Sequence, residues 1–214
     1  MKDRNPAIIV TIGPTQEPLD AMRLISNRST GTLGTLLAAK LANRGHRIIA
    51  MRSTGSTVSP ESLEHECIRI VPFSTTENLR LELETLSSKE RVDAIFHAAA
   101  VSDFFLPSGG LGKIPTAGAP LTLTLEPTRK LLPLMRGWFP SAKITRWKFE
   151  ASGDCESALK AGREQLHRCH TDACVVNGPS YGEGFGVLSK SGALIHLADR
   201  DALCIHLVKS LSLD

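Results

Sequence analysis

The feature that most constrains the fold of this chain is the alternation of short apolar runs with longer segments whose leucines recur at helical spacing. Residues 7–12 are a nearly continuous β-branched run that ends at Gly-Pro, which is typical of a buried strand followed by a turn. Residues 32–44 carry four leucines on one helical face and end at a glycine. Such alternation predicts an α/β fold with a Rossmann-like, doubly wound, mostly parallel sheet and helices on both faces.

The same patterns predict the remaining elements. Further strands are expected over residues 46–51, 68–71, 93–99, 121–125, 142–147 and 173–176. Further helices are expected over residues 75–86, 128–138, 156–167 and 199–211. Residues 185–188 and 193–197 predict a C-terminal β-hairpin, whereas residues 14–30 are expected to form a long polar connection. We expect one domain over residues 1–214, with a flexible flap around residues 105–120, where glycine and proline are most frequent.

Composition excludes several classes of protein. The 214 residues carry 25 Lys and Arg against 22 Asp and Glu, a net charge of +3, and 42% are hydrophobic. Such a chain can bury a substantial core, and without a concentrated basic run no nucleic-acid partner is expected. The apolar runs fall far short of the roughly 20 residues of a membrane span, so no membrane association or secretory signal is expected. The five cysteines follow no regular framework, which favours a reduced, cytoplasmic protein.

The strongest candidate for a ligand-binding segment lies at the start of the helix predicted over residues 32–44. Gly31 and Gly34 open that helix, and Ser29 and Thr30 are expected at its N-terminal cap. Free N–H groups, hydroxyls and the positive end of the helix dipole together make a phosphate cradle. The same residues also suit a helix that is only capped and closely packed, so both interpretations stay open. The spacing differs from the dinucleotide fingerprint, in which the glycines follow the first strand immediately.

Two further groups of residues could complete such a site. Arg23 and Asn27 offer a cation and an amide for a carboxylate or phosphate, although a solvated arginine and a turn-forming asparagine are the more ordinary interpretation. Residues 98–103 follow a predicted central strand, where doubly wound sheets bind ligands. Their alanines allow a ligand to approach the backbone, and Asp103 could take a hydroxyl or a metal. Strand–helix packing and helix capping explain the same residues equally well.

Other enzyme classes find little support in the sequence. The Cys/His group over residues 167–174 lacks paired zinc-ligand spacing, so no protein metal site is expected. An NAD(P) reductase of the short-chain type needs Tyr-x-x-x-Lys, but Tyr181 is the only tyrosine and Phe185 stands where the lysine should be. The P-loop motif is also absent.

Two segments carry a family resemblance when they are taken together. They are Gly-Pro-Thr-Gln-Glu-Pro-Leu-Asp-Ala-Met-Arg-Leu-Ile-Ser-Asn-Arg-Ser-Thr-Gly at 13–31 and Ala-Ala-Val-Ser-Asp at 99–103. Continued by residues 121–125, 147–150 and 172–177 and by the C-terminal hairpin and helix, they resemble the phosphopantothenate–cysteine ligase family of coenzyme A biosynthesis. Bacteria often fuse this ligase behind a flavin-dependent decarboxylase, which has no counterpart here, so the resemblance implies ligase chemistry without flavin.

The resemblance implies a Rossmann-like homodimer that uses ATP or CTP as co-substrate, assisted by Mg²⁺. Its substrates are 4′-phosphopantothenate and cysteine. The carboxylate of 4′-phosphopantothenate is activated as an acyl-nucleotide with release of pyrophosphate, and the cysteine amine then attacks to form the amide.

The resemblance also implies roles for individual residues. The nucleotide-binding positions are Gly13, Ser29, Gly31, Gly34, Trp147 and Asn177. The substrate-binding positions are Arg23, Asn27, Ala99, Ala100 and Asp103. Of these, Arg23 is implied to reach the substrate across the dimer. Asn27 and Lys113 are the expected catalytic residues, Asn27 at the substrate carboxylate and Lys113 at the developing charge on phosphorus, although a solvated loop lysine is as ordinary an interpretation of Lys113.

Some positions depart from the family pattern. Lys113 is all that remains of a Lys-x-Lys-Lys run in the flap, and Trp147 replaces the usual phenylalanine. The lysines that the CTP-using enzymes carry before residue 172 are missing here, which favours ATP. The alternative to an active ligase is therefore a diverged homologue that binds a nucleotide or phosphorylated ligand without this activity.

Overall fold

The computed structural model describes residues 5–110, 112–115, 118 and 120–211. Within these residues the strands of the main sheet are β1 (Ala7–Ile12), β4 (Arg47–Ser53), β5 (Ile68–Phe73), β6 (Val92–His97), β9 (Lys143–Phe149), β10 (Ala173–Asn177), β11 (Phe185–Ser189) and β12 (Leu194–Leu197). Four shorter strands are β2 (Gln16–Pro18), β3 (Leu24–Ser26), β7 (Phe104–Phe105) and β8 (Glu126–Pro127). The helices are α1 (Thr32–Ala42), α2 (Thr76–Lys89), α3 (Leu131–Trp138), α4 (Cys155–Cys169) and α5 (Arg200–Ser210), with a 3₁₀ turn at Pro60–Leu63.

The main sheet has the order β12-β11-β10-β9-β6-β1-β4-β5. The six strands β10, β9, β6, β1, β4 and β5 run parallel to their neighbours in the sheet. At one side of the sheet, β11 pairs antiparallel with β10 and forms a hairpin with β12. The chain winds outward from β1 through β4 to β5, then returns to β6 on the other side of β1 and winds outward again. This order confirms the predicted α/β fold, and the reversal between β1 and β6 is where such sheets bind ligands.

Helices cover both faces of the sheet. Alternate residues of each strand point to opposite faces, so each central strand contributes to two cores. Ile8, Val10 and Ile12 of β1 pack in the core beneath α1 and α5. Ala7 and Ile9 pack in a second core with apolar residues of α2 and α3. A third cluster joins α4 to β10 and β11. The almost uninterrupted apolar sequence of β1 is therefore the sequence of a strand that is buried on both faces.

The structure corrects two predictions. The polar connection over residues 14–30 contains an antiparallel hairpin, β2 and β3, which each have only three residues. The strand predicted over residues 121–125 is wrong, since pairing in this region is limited to the two residues of β8 against β7. The Leu-Thr alternation has no neighbouring strand to pair with in the described structure, and Leu121 is 55% exposed.

Two predicted boundaries also shift. The helix expected from residue 128 begins at Leu131. Thr128 is held outside the helix because its N–H donates to the carbonyl oxygen of Asp103 at 2.9 Å and its hydroxyl donates to the carbonyl oxygen of Ser102 at 2.5 Å. The strand expected to reach residue 99 ends at His97.

None of the helices in the described part of the chain is both long enough and apolar enough to cross a membrane.

Candidate active site at the switch point of the sheet

The two segments singled out in the sequence lie side by side where the sheet changes winding direction. The backbone N–H of Ala100 donates to the carbonyl oxygen of Gly13 at 3.0 Å, and the N–H of Thr15 donates to the carbonyl oxygen of Ala100 at 3.0 Å. The Thr15 hydroxyl also accepts from the N–H of Ser102 at 2.8 Å. The loops after β1 and β6 are therefore tied together as a continuation of the sheet, and they form one wall of the candidate site.

The N-terminus of α1 opens beside these loops with free donors. Its N-cap is Gly31, with φ +84°, which has no side chain to bond the first N–H groups of the helix. Thr32 N–H donates weakly to the Thr30 hydroxyl at 3.3 Å, but the N–H groups of Leu33 and Gly34 have no partner among the described residues. The expectation that Ser29 and Thr30 cap this helix is therefore wrong, because glycine occupies the cap position. Unsatisfied N–H groups at the positive end of a helix dipole suit an anion.

Close packing also explains why glycine occupies positions 13, 31 and 34. A Cβ atom on Gly13 would lie 3.1 Å from Cβ of Ser56, and one on Gly31 would collide with the Ser56 hydroxyl. A Cβ atom on Gly34 would lie 3.0 Å from Cγ1 of Ile12 on β1, so this glycine sets how closely α1 approaches the sheet. The two interpretations of these glycines are thus compatible, because close packing is what brings the helix terminus up to the end of β1.

Asn27 joins the two predicted segments directly. Its side-chain amide donates from Nδ2 to the carbonyl oxygen of Val101 at 3.0 Å. Its own carbonyl oxygen accepts from the N–H of Ser29 at 2.9 Å, which places Ser29 between Asn27 and the start of α1. An amide nitrogen carries two hydrogens, so one donor of Asn27 remains available for a ligand.

The remaining substrate positions are held by neighbours that the sequence analysis missed. Ala99 N–H donates to the Thr11 hydroxyl at 3.0 Å. Asp103 is exposed and forms an ion pair with Lys130, with 2.5 Å between Oδ1 and Nζ. Asp103 therefore presents a neutralised pair rather than a free carboxylate. The signal for Thr11 was available, since it is the one hydroxyl residue in an otherwise apolar strand.

Trp147 and Asn177 lie farther along the same edge of the sheet. Trp147 packs against the core that α1 also covers, and its indole N–H is buried without a hydrogen-bond partner among the described residues. Asn177 ends β10, and its side-chain amide makes no bond to the described residues. Because strands lie about 4.8 Å apart, these positions are roughly 10–15 Å from the end of β1. Only an extended ligand could touch them and the N-terminus of α1 together.

Arg23 and Lys113 are brought together by the hairpin of β2 and β3. The Arg23 guanidinium bonds to the buried carboxylate of Asp20 at 2.5 Å and donates to the carbonyl oxygen of Ile114 at 2.8 Å. Asp20 also accepts from the N–H of Ile114 at 3.0 Å, and Ala21 N–H donates to the carbonyl oxygen of Gly112 at 2.7 Å. Residues 112–114 of the predicted flap therefore lie on this hairpin, with the Lys113 side chain exposed between them.

The charge of Asp20 is maintained by these contacts. The Arg23 guanidinium, followed by the backbone N–H of Ile114 and Met22, holds the pKa of the Asp20 carboxyl well below its usual range. The flap backbone at Ile114 is thus bonded to an ion pair of the hairpin that stays charged at any ordinary pH.

A buried histidine lies directly beneath the site. His97 ends β6, and its Nδ1 lies 2.9 Å from the Thr11 hydroxyl. The same hydroxyl accepts from Ala99 N–H at 3.0 Å, so Thr11 links the His97 imidazole to the loop after β6. Burial lowers the pKa of His97 from 6.5 to about 4, and the nearby guanidinium of Arg146 contributes. His97 is therefore neutral and supports the loop after β6 through Thr11.

The described residues contain no group of three or more His, Cys, Asp or Glu side chains that could hold a metal ion. Burial raises the pKa of the Cys174 thiol to about 11 and that of Cys204 to about 12, so neither is a reactive thiolate.

Comparison with known proteins finds relatives over most of this chain. Residues 4–209 match the family model described as the DNA/pantothenate metabolism flavoprotein C-terminal domain. The chain is 31% identical over 170 residues to the coenzyme A biosynthesis bifunctional protein CoaBC of Thermococcus kodakarensis, covering 79% of this chain and 40% of that protein. It is 28% identical over 212 residues to the CoaBC of Mycobacterium tuberculosis H37Rv, covering 95% of this chain and 49% of that protein. The chain thus spans about half the length, or less, of these relatives.

Solved structures show the same fold. A DNA/pantothenate metabolism flavoprotein from Streptococcus pneumoniae superposes with a TM-score of 0.85 at 19% identity, covering 97% of this chain and 99% of that one. A Cab2 mutant in complex with phosphopantothenate-cysteine superposes with a TM-score of 0.78 at 21% identity, covering 97% and 86% of the two chains. The family match spans nearly the whole chain and confirms the resemblance found in the sequence, so the chain belongs to the DNA/pantothenate metabolism flavoprotein C-terminal domain family.

Proposed function

We propose that this chain forms an amide between 4′-phosphopantothenate and cysteine through an acyl-nucleotide intermediate. The observation that carries the proposal is the junction at the switch point, where Asn27 bonds to Val101 beside the free N–H groups of Leu33 and Gly34. This junction offers adjacent places for a nucleotide phosphate and for a carboxylate. Family membership and the phosphopantothenate-cysteine bound to the Cab2 mutant support the choice of substrates.

The nucleotide occupies the edge of the sheet from α1 to β10. Its phosphates accept hydrogen bonds from Leu33 and Gly34 N–H and from the Ser29 hydroxyl, and the helix dipole offsets part of their charge. The base and sugar extend toward Trp147 and Asn177. The buried indole N–H leaves only the exposed part of the Trp147 ring for contact with the ligand. The missing lysines before residue 172 favour ATP over CTP.

The acid lies between Asn27 and the loop formed by Ala99, Ala100 and Asp103. The free hydrogen on Nδ2 of Asn27 holds one carboxylate oxygen, and the other oxygen attacks the α-phosphorus of the nucleotide. The bond from phosphorus to the bridging oxygen breaks, and pyrophosphate leaves. The cysteine amine then attacks the acyl carbon, loses a proton and expels the nucleoside monophosphate. Both steps depend on positioning and on stabilisation of phosphoryl charge.

Two cationic side chains assist the reaction in this proposal. Lys113 on the flap would stabilise charge on the α-phosphorus, and Arg23 would contact the acid bound to the partner in a homodimer. In the single protomer Arg23 is held by Asp20 and Ile114, so substrate contact requires the flap and hairpin to rearrange.

The carboxylate side chains at the candidate site indicate how Mg²⁺ would be held. The described residues supply no group of three or more side chains that could hold a metal ion, and Asp103, a carboxylate of the predicted substrate site, is paired with Lys130. Mg²⁺ is commonly held through substrate phosphates with few protein ligands, and that mode suits this site. Bound in that way it would neutralise phosphate charge. The decarboxylation chemistry of a flavin has no place in the proposed reaction.

A second candidate is a homologue that binds a nucleotide or phosphorylated ligand without ligating it. The observation that favours it is the sequestration of Arg23 by Asp20, together with a flap that retains a single lysine.

Pyrophosphate release distinguishes the two candidates. The full chain is incubated with Mg²⁺ and either ATP or CTP, first without and then with 4′-phosphopantothenate, and finally with cysteine. A ligase releases pyrophosphate only when 4′-phosphopantothenate is present and forms the amide once cysteine is added. Absence of release with both nucleotides, in protein shown to be folded, would support the binding homologue instead.

A further inference from the structure

A cavity lined by basic side chains lies at the opposite end of the parallel strands from the candidate active site. A cavity of about 160 Å³ is formed by the C-terminal half of α4 and the hairpin of β11 and β12. Arg163, His167, His170 and Lys190 line it. Ser189, at the end of β11, pairs with Ala173, at the start of β10, so this cavity is at the end of the parallel strands that is remote from Asn177.

The cavity is electropositive without a compensating acid. None of the described residues that line it is acidic, and neither Arg163 nor Lys190 forms an ion pair with the described residues. Asp172, two residues after His170, is already occupied, because its carboxylate bonds to the Arg136 guanidinium at 2.6 Å and to the N–H of Ile144 at 2.8 Å. Cations that converge without a partner repel one another, and a bound anion relieves that repulsion.

The end of α4 would ordinarily oppose an anion, since the last carbonyl groups of a helix carry partial negative charge. Here three carbonyl groups at this end are hydrogen-bonded. The carbonyl oxygen of His167 accepts from His170 N–H, that of Leu166 accepts from Thr171 N–H at 3.3 Å, and that of His170 accepts from Arg136 Nε at 2.9 Å. These bonds reduce the opposition of the helix end to an anion beside Arg163 and Lys190.

We propose that this cavity is a second anion site, which binds a phosphate or pyrophosphate group through Arg163, Lys190 and the two histidines. Its volume is below the roughly 300 Å³ at which pockets for drug-sized ligands begin, so it suits a small anion rather than a nucleotide. Arginine and lysine are the side chains most often used for phosphate, and a histidine ring N–H can donate a further hydrogen bond. The site is independent of the proposed function, because it shares no residue with the junction at Asn27.

Amide-resolved NMR tests this site separately from the N-terminus of α1. The ¹⁵N-labelled full chain is titrated with sodium phosphate and with sodium pyrophosphate at constant ionic strength, with sodium chloride as the balance. We expect saturable shifts at residues 163–170 and 189–192, with pyrophosphate binding more tightly because it carries more charge. Binding at the helix terminus would appear instead at residues 29–35.

The double variant R163Q/K190Q should raise the dissociation constant at residues 163–170 by about tenfold or more, since two charge-assisted contacts are lost. The matched control is R44Q/K160Q, which removes the same charge from exposed positions outside the cavity. The control should bind as the wild type does. Absence of saturable shifts in the wild type, or an unchanged dissociation constant in R163Q/K190Q, would overturn the proposal.

Discussion

At the scale of single residues, the site depends on side chains that each make one well-placed hydrogen bond. Asn27 reaches Val101 across the gap between two loops, and Thr11 links His97 to Ala99. Sequence reasoning could predict Asn27 because it sits in a specific motif beside the helix glycines. Thr11 stands out as the one hydroxyl residue of an apolar strand, but its partners could not be predicted, because they depend on the register of the neighbouring strand.

Asn27→Asp should abolish ligation. The carboxylate cannot donate to the carbonyl oxygen of Val101, and it places a negative charge against the carboxylate of the substrate. We expect amide formation and pyrophosphate release to fall by about 100-fold or more, in line with the loss of one positioned donor to a developing charge. Asn43→Asp, at the exposed C-terminal end of α1, is the control and should keep wild-type rates. Wild-type rates in Asn27→Asp would remove Asn27 from the mechanism.

His97 should make the protein sensitive to acid. Its folded pKa of about 4 lies below the unfolded value of 6.5, so the unfolded chain binds the proton more readily between these values. Stability is therefore retained above pH 6.5 and lost as the pH falls toward 4, by about 3 kcal/mol. His97→Gln keeps a hydrogen-bonding group for the Thr11 hydroxyl and cannot be protonated.

The measurement is urea unfolding of the wild type and His97→Gln at several values between pH 7 and pH 4. The free energy of unfolding of the wild type should decline more steeply than that of the variant. Parallel declines would show that other groups cause the acid sensitivity.

At the scale of elements, the long helices and the central strands could be predicted because their apolar residues recur with a clear period. The hairpin of β2 and β3 could not, because three-residue strands containing Gln16, Glu17 and Pro18 show no alternation. What holds this hairpin is tertiary: the buried carboxylate of Glu17 accepts from the N–H and hydroxyl of Thr76 at the start of α2, at 2.8 and 2.7 Å. The false strand at residues 121–125 shows the converse, since an alternating pattern forms no strand without a partner.

Asp20→Asn should release the flap from the hairpin. The amide loses the ionic contact with Arg23, which is the main cause of the lowered pKa of Asp20. Because that pKa is depressed, the contact in the wild type persists at neutral pH and is lost only in strong acid. We expect tryptic cleavage after Lys113 to become several-fold faster in Asp20→Asn at pH 8, measured by mass spectrometry of timed digests. Asp93→Asn, at an exposed position, should digest as the wild type does.

At the scale of the whole molecule, large apolar side chains are exposed on and beside the two small sheets. Met22 is 74% exposed, Leu24 50%, Phe104 52% and Leu121 55%, and β2 contacts β7. We predict that this surface forms an interface with a second copy, which is the partner that the family resemblance implies. A homodimer formed on this surface would also bring Arg23 close to the partner.

Sedimentation velocity tests the homodimer. The wild type should sediment as a dimer, and M22K/F104K should sediment as a monomer with reduced ligase activity, because charged side chains cannot be buried there without a partner. Ile205→Lys changes an apolar residue of α5 that is 40% exposed and should leave the dimer intact. A monomeric wild type, or a dimeric M22K/F104K, would contradict this assignment of the interface.

The hydrogen bonds that tie the loop after β1 to the loop after β6 also limit how this chain can vary during evolution. One residue inserted between Gly13 and Thr15, or between Ala98 and Ser102, would slide one loop along the other and separate Asn27 from Val101. The turn over residues 43–46, which precedes β4, is not hydrogen-bonded to another loop among the described residues. Differences in length among related chains should therefore collect at turns of that kind, while these two short loops keep a constant number of residues even where their sequences diverge.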